Sequence, residues 1–260
     1  VTDDNRRIDA IIMAAGKGTR MGGDLPKVVY EVAGKPMVWW VVKACKEAGA
    51  QRCVLVVGYK QELVREALKD EEGVEFVEQL EQKGTAHAAQ MAEPCFEGKP
   101  IGDLFVLAGD GPLIRAKTLS RLVEVHCRSN AAATLATSII DDPTGYGRII
   151  RDASGNFDAI VEQKDATDEQ RAVQEVNPSY YCFDGQKMFK TIDQIGANNA
   201  QGEYYITDAP GLLKSQGQTV TVVDAVPPED ILSINNPDQL AEVDRILRGR
   251  LGMPTSGAQA

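Results

Sequence analysis

Near-continuous apolar runs alternate with segments of helical period through the first half of the chain. The runs Ile8–Met13, Cys53–Val57, Val74–Val77 and Leu104–Ala108 predict strands. Between them, Met37–Ala48, Gln61–Leu68, Thr85–Ala92 and Lys117–Arg128 carry apolar residues at helical spacing, and Gly49 supplies a stop after Ala48. Apolar strands separated by helices are what a parallel sheet covered on both faces requires. Residues 1–140 therefore read as a doubly wound α/β half, with ligands expected at the carboxyl ends of its strands.

The pattern changes after Asp141. Asp-Asp-Pro-Thr-Gly-Tyr-Gly is turn chemistry, and Arg148–Arg151 and Phe157–Val161 flank Asp-Ala-Ser-Gly-Asn as the two arms of a hairpin. Val176–Phe183 predicts a third strand of this more antiparallel part, residues 141–235. The charge run at 165–171 reads as a solvated loop or helix face. Asn236-Pro237 has the chemistry of an N-cap and first helical position, and Leu240, Val243, Ile246 and Leu247 form one apolar stripe, so 236–250 predicts a helix. Small and polar residues at 251–260 predict a disordered tail. No internal repeat is present, and no hexapeptide-type turns announce a parallel β-helix.

Composition narrows the chemistry. The 260 residues carry 28 Lys and Arg against 38 Asp and Glu, a net charge of −10. That balance argues against a nucleic-acid partner, which needs a basic face, but allows a small anion held by local cations and backbone N–H groups. No stretch of 18 apolar residues predicts a membrane span, and the polar amino end lacks the apolar core of a signal peptide. Five cysteines without a close pair read as thiols of a reducing compartment, so a cytoplasmic location is expected. Of the two histidines, His126 follows Leu119, Leu122 and Val123 at helical spacing and reads as a core-edge residue, whereas His87 stays open. A Ser-His-Asp hydrolase or multi-histidine metal site is poorly supported.

The sharpest local feature is Met-Ala-Ala-Gly-Lys-Gly-Thr-Arg-Met (13–21), directly after the first strand. Its glycines let the backbone approach a phosphate, and Lys17 and Arg20 supply charge. The spacing is not that of a P-loop, and Met21 stands where a dinucleotide fingerprint would have its third glycine. Leu-Pro-Lys (25–27) brings Lys27 toward the same end of the sheet. Gly109-Asp110 follows a strand end, where Asp110 reads either as a Mg²⁺ ligand or as a turn aspartate.

Together these segments resemble the family of nucleotidyltransferases that join a sugar 1-phosphate to a nucleoside triphosphate, and within it the N-acetylglucosamine-1-phosphate uridylyltransferases. The resemblance runs over about residues 8–248. It implies a Rossmann-like nucleotide-diphospho-sugar transferase fold, a doubly wound mostly parallel sheet with a smaller antiparallel sugar-binding part. It makes Arg20 and Lys27 the phosphate-binding catalytic cations and places Ala14, Ala15, Gly16, Lys17 and Gly18 against the nucleotide. Glu-Gln-Lys-Gly-Thr-Ala-His-Ala (81–88) resembles the base-reading segment, which gives Gln79, Gly84 and Thr85 to the uracil. The blocks around Gly147, Glu162 and Asn177, with Gly109, fall to the sugar, and Asp110 and Asn235 to Mg²⁺. Asn-Ala-Gln-Gly-Glu-Tyr-Tyr-Ile-Thr-Asp (199–208) is a further shared string. The family's Tyr-Gly-Asp-Val-Pro becomes Ala108-Gly-Asp-Gly111-Pro here, Ala86 replaces a glycine, and Pro178-Ser179 replaces Thr-Gly.

The implied reaction is in-line attack by the sugar phosphate on the α-phosphorus of UTP, catalysed by positioning and charge neutralisation, so scarce histidine is no obstacle. UTP and N-acetylglucosamine 1-phosphate are the implied substrates. A relative using glucose 1-phosphate or dTTP, and more distantly a glycosyltransferase or regulatory binder, stay open. The family's β-helical acetyltransferase half has no counterpart, so the chain is either truncated or naturally single-function. Since that half supplies the family's trimer contacts, a monomer or weak oligomer is expected.

Overall fold

In the computed structural model, which describes residues 7–18, 21–98, 101–224, 226–232 and 234–254, the apolar runs of the first half lie side by side. β1 (Ile8–Ala14) pairs in parallel with β4 (Cys53–Val57) and β6 (Asp103–Ala108), and β4 with β5 (Val74–Glu78). Side chains alternate across the pleat, so both faces must be covered. Ala10, Ile12 and Ala14 enter one core cluster and Ile11 the other. α1 (Met37–Glu47), α2 (Gln61–Ala67) and α4 (Ala116–Ser129) contribute Val38, Val64, Leu119 and Leu122 to the first. α3 (Thr85–Met91), α6 (Gly185–Ile192) and α7 (Asp208–Ser215) bring Ala89, Met188 and Leu213 to the second.

The second half joins the same sheet instead of building its own. β10 (Glu175–Asp184) runs antiparallel between β6 and β7 (Ala133–Ile139), and β11 (Val220–Asp224) adds in parallel to the far side of β7. The resulting order is β11-β7-β10-β6-β1-β4-β5, with the hairpin of β8 (Gly147–Arg151) and β9 (Phe157–Val161) branching from β10. The division expected at residue 140 is thus a change of strand direction within one sheet. Sequence pattern missed β7, whose Ala-Thr-Leu-Ala-Thr-Ser-Ile is interrupted by polar residues, yet six of its seven positions are buried. It also missed β11, α6 and α7.

A small antiparallel pair, β2 (Glu31–Val32) and β3 (Lys35–Pro36), is joined by Ala33 and Gly34, both at positive φ. α8 (Pro237–Leu251) packs on it through Val243 and Leu247, and Asp244 accepts from the Ala33 N–H at 2.7 Å. Asn236 caps α8 as its sequence predicts, accepting from the Gln239 N–H at 2.9 Å. The helix runs one residue beyond the expected end, and Gly252 closes it at φ 66°. Leu251 is therefore helix and Gly252 its cap, where a tail was expected; 255–260 lie outside the described residues. The charge run at 165–171 forms one exposed turn, α5 (Asp168–Arg171), closed by a Thr167–Gln170 capping box. None of the five cysteines forms a disulfide. His126 is fully buried, its Nδ1 2.9 Å from the Thr134 hydroxyl, in keeping with a structural role.

Asp230 is 2% exposed and accepts from two arginines, Arg115 at 2.6 and 2.9 Å and Arg250 of α8. This pairing ties the strand-to-helix connection around residue 230 to both flanking helices. Asp230→Ala removes the buried anion, and its two partners can reach water. The expected destabilisation is therefore toward the low end of the roughly 3–5 kcal/mol seen on breaking buried pairs. Denaturant midpoints of the two proteins measure it.

Candidate active site

Because β1, β4, β5 and β6 are parallel, their carboxyl ends lie along one edge, and the segments leaving them converge there. A cavity of about 460 Å³ opens at that edge. It is lined by Ala14, Ala15, Gly16, Gly18 and Lys27 from the glycine loop and its sequel, by Gln79, Gly84 and Thr85, and by Asp110 and Asn235. A second cavity of about 180 Å³ contains Gly147, Glu162 and Asn177. Lys27, Ala108 and Asp110 line both, so the two cavities meet at these side chains. A cleft of about 610 Å³ between α4 and β11 is lined by Lys117 and by Arg115, Arg121 and Arg128, the three arginines each paired with carboxylates.

Gly18 has φ 66°, and a Cβ there would stand 2.6 Å from the Lys27 Cβ, so glycine is needed for both conformation and close approach. That approach brings the Lys27 ammonium to the cavity, where it meets the Asp110 carboxylate at 2.7 Å. Gly109 serves the same junction differently. It is not a lining residue, but packs against β1, where a Cβ would lie 3.1 Å from the Met13 carbonyl. Lys17 turns away, its ammonium 5.2 Å above the Tyr59 ring. Arg20 lies outside the described residues.

Of the residues expected to read the base, Gln79 follows β5 and is almost fully buried. Gly84 has φ 116°, and a Cβ would lie 2.5 Å from the Tyr204 carbonyl. The segment 83–86 is stitched to the 199–208 string: the Tyr204 N–H donates to Lys83, the Ala86 N–H to Tyr204, and the Ile206 N–H to the Thr85 hydroxyl. Part of that string therefore holds the 83–86 loop in place.

On the other side, the pairing register of β10 with β7 shifts between Val176 and Tyr180, with Ser179 left-handed at φ 64°. The bulge takes Asn177 out of the ladder with β7, and its side chain lines the smaller cavity. Its Nδ2 donates to the Tyr181 hydroxyl at 2.6 Å and its Oδ1 accepts from the Ser179 N–H at 3.1 Å. One amide hydrogen and one carbonyl lone pair remain for a ligand. Glu162 ends the hairpin nearby; burial raises its pKa, and Asp165 and Asp208 add repulsion in the same direction. Gly147 pairs with Asn177 and leaves room where a Cβ would meet Ile160 at 3.1 Å.

Several contributors carry no signal in local sequence. The Gln82 amide holds the glycine loop through the Ala15 carbonyl at 2.6 Å. Tyr146 and Tyr180 wall the second cavity with Asp230. The Tyr180 hydroxyl would lie 3.2 Å from a Cβ at position 111, so Gly111 accommodates it without crowding.

Similar proteins are known. The family of MobA-like NTP transferase domains matches residues 10–175. The bifunctional protein GlmU of Syntrophomonas wolfei subsp. wolfei is 45% identical over 244 residues, 94% of this chain and 54% of that protein. That of Geobacillus sp. (strain WCH70) is 43% identical, over 93% of this chain and 52% of that one. The chain spans about half the length of the curated relatives it matches. The solved structure of UDP-glucose pyrophosphorylase complexed with UDP-glucose aligns at TM-score 0.76 over 94% of this chain and 99% of that one; at 18% identity it shows the fold alone. With the glycine loop, the parallel edge and this match over most of the chain in agreement, the protein belongs to the MobA-like NTP transferase family.

Proposed function

We propose that the domain transfers the uridylyl group of UTP to N-acetylglucosamine 1-phosphate, forming UDP-N-acetylglucosamine and pyrophosphate. The observation that carries this reading is the meeting of two cavities at Lys27 and Asp110. A nucleotide in the larger and a sugar phosphate in the smaller would bring their phosphates to the shared wall. One oxygen of the sugar phosphate bonds to the α-phosphorus of UTP as the bond to the pyrophosphate oxygen breaks. The attacking phosphate is already an anion, so no strong base is required. The similarity to the GlmU proteins supports the same assignment.

On the sugar side, Glu162 and the remaining amide valences of Asn177 would take hydroxyl and acetamido groups. On the nucleotide side, backbone of the glycine loop would lie along the triphosphate and Lys27 would offset its charge. Asp110 and Asn235 line one cavity and together offer hard oxygen donors, a set that suits Mg²⁺, which keeps waters and needs few protein ligands beside phosphate. When bound, Mg²⁺ supplies charge neutralisation and alignment of the phosphates. Asp110 would hold that charge at the junction, and Lys27, which pairs with it in this structure, would be released toward phosphate. No described helix is long and apolar enough to cross a membrane.

A grid of nucleoside triphosphates against sugar 1-phosphates, read by pyrophosphate release, tests the assignment. UTP with N-acetylglucosamine 1-phosphate should be the best pair, with glucose 1-phosphate slower because it leaves the amide groups of Asn177 without a partner. Equal turnover with glucose 1-phosphate or dTTP would refute the substrate choice while leaving the reaction type intact.

Activity measured against Mg²⁺ concentration tests the junction, with folding followed by circular dichroism. Asp110→Ala should abolish turnover in a folded protein, and Asn235→Ala should lower kcat less, because water can replace a neutral ligand. Lys27→Ala should cost roughly 10²–10³ in kcat, the scale for losing one preorganised charge stabiliser. A folded Asp110→Asn protein with unchanged Mg²⁺ response would remove Asp110 from the metal site.

A further inference from the structure

The side-chain amide of Gln79 has a fixed polarity, and His87 is part of what fixes it. Gln79 Nε2 lies 3.1 Å from the Gly84 carbonyl oxygen. A carbonyl can only accept, so the nearby amide atom must be the NH₂ and not the oxygen. The same Nε2 lies 2.9 Å from His87 Nδ1. An NH₂ group directed at both must find an acceptor at each, so Nδ1 carries its lone pair and the ring proton sits on Nε2. Both amide hydrogens are then committed within the protein. Among the described residues no donor reaches Gln79 Oε1, and Gln79 lines the larger cavity. What remains for a base is an acceptor.

An acceptor at this position suits the N3–H of uracil and meets the N3 lone pair of cytosine with repulsion. A protonated His87 reverses the argument. Its Nδ1–H would confront the amide hydrogens, and relief comes from turning the amide so that Oε1 accepts from the imidazolium, a charge-assisted bond about twice as strong as the neutral Gly84 contact that the turn gives up. Nε2 then faces the cavity as a donor, the polarity that cytosine matches. Resting on the proposed uridylyl transfer, we propose that His87 is a positioning residue that sets the hydrogen-bond polarity of Gln79, so that discrimination between UTP and CTP depends on a neutral His87.

The surroundings allow His87 to titrate without forcing it to. It is half-buried on α3 and borders a cleft of about 280 Å³ that reaches solvent between α3 and α6. The groups facing it are Glu81 and Lys83 from the preceding loop, paired with each other at 2.5 Å; Asp193 after α6, held by Gln90 at 2.7 Å; and the Tyr204 phenol. Burial lowers the His87 pKa, Lys83 lowers it further, and the Glu81 carboxylate and backbone carbonyl oppose both. A lowered value keeps the ring neutral at and above its ordinary pKa of about 6.5, so the neutral-state polarity holds at neutral pH and is lost only on acidification.

The test compares kcat/KM for UTP and CTP at saturating N-acetylglucosamine 1-phosphate as pH is lowered from 8. In the wild type the UTP:CTP ratio should stay level near neutrality and fall about tenfold as His87 protonates, the scale of one exchanged hydrogen bond. In His87→Ala the Gly84 carbonyl alone holds the amide, so the ratio should be lower at every pH by about threefold, less than on protonation, with the KM for the sugar phosphate unchanged. His87→Asn places a non-titrating amide oxygen near the Nδ1 position and should restore the ratio while abolishing its pH dependence. The nitrogen-15 shifts of His87 should show an unprotonated Nδ1 at neutral pH; a protonated Nδ1 would overturn the proposal whatever the substrate. So would a wild-type ratio that stays level through His87 protonation, or a His87→Ala ratio equal to wild type. Gln79→Ala separates the two readings. If it erases the preference for UTP while His87→Ala does not, only the role of His87 fails. If Gln79→Ala leaves the preference intact, the assignment of Gln79 to the base fails, and the positioning role with it.

Discussion

The antiparallel entry of β10 between β6 and β7 is the constraint from which the site follows. Register pairs Tyr180 with Leu107, so the start of β10 lies at the end of β6. Asn177, three residues earlier on β10, is thereby brought beside the Gly109-Asp110 turn. A parallel strand in the same place would send its carboxyl end there, and Asn177 to the opposite edge of the sheet. The bulge at 177–179 completes the arrangement by turning Asn177 from the ladder toward the cavity. The hairpin of β8 and β9 hangs from the same segment through Gly147, so Glu162 arrives by the same route.

The junction between the cavities is electrostatic. Lys27 and Asp110 lie 2.7 Å apart, 18% and 35% exposed respectively, so each holds the other's charge at a half-buried boundary. A chain with net charge −10 can thus present a local cation where phosphate is expected, because interactions over a few ångströms outweigh a dispersed surface charge that salt screens. The pair also has a natural competitor. A ligand that brings both a divalent cation and phosphate offers each member a better partner than the other.

Positions that look catalytic divide by what their geometry demands. Gly18 and Gly84 are glycines because the chain is left-handed there and packs against Lys27 and Tyr204 respectively. Gly109 lies against β1 next to Asp110, where a Cβ would meet the Met13 carbonyl. Thr85 spends its hydroxyl oxygen on the Ile206 N–H. The buried Asp230, held by Arg115 and Arg250, fixes one wall of the smaller cavity.

Sequence by itself determined the elements whose signals are local. The runs of β1, β4, β5 and β6 and the period of α1 to α4 fall within a residue or two of their predicted limits, because burial on both faces or on one stripe leaves a periodic record. The capped start of α8 was legible for the same reason, as Asn236 and Pro237 act within one turn. The glycine loop and Asp110 were recognisable by their place at strand ends, and resemblance brought in Gln79, Glu162, Asn177 and Asn235. Strand β7 was not legible, because its threonines and serine are buried among neighbours that no local window contains. Nor was the insertion of β10, since strand direction is set by which elements pack together and not by the residues of the strand. The orientation of Lys17 over Tyr59, the joint wall of Lys27 and Asp110, and the contact of Gln79 with His87 arise between segments distant in the chain or turned by the fold. Only the tertiary structure could decide them, because hydrogen-bond polarity and charge pairing depend on distances that residue order does not specify.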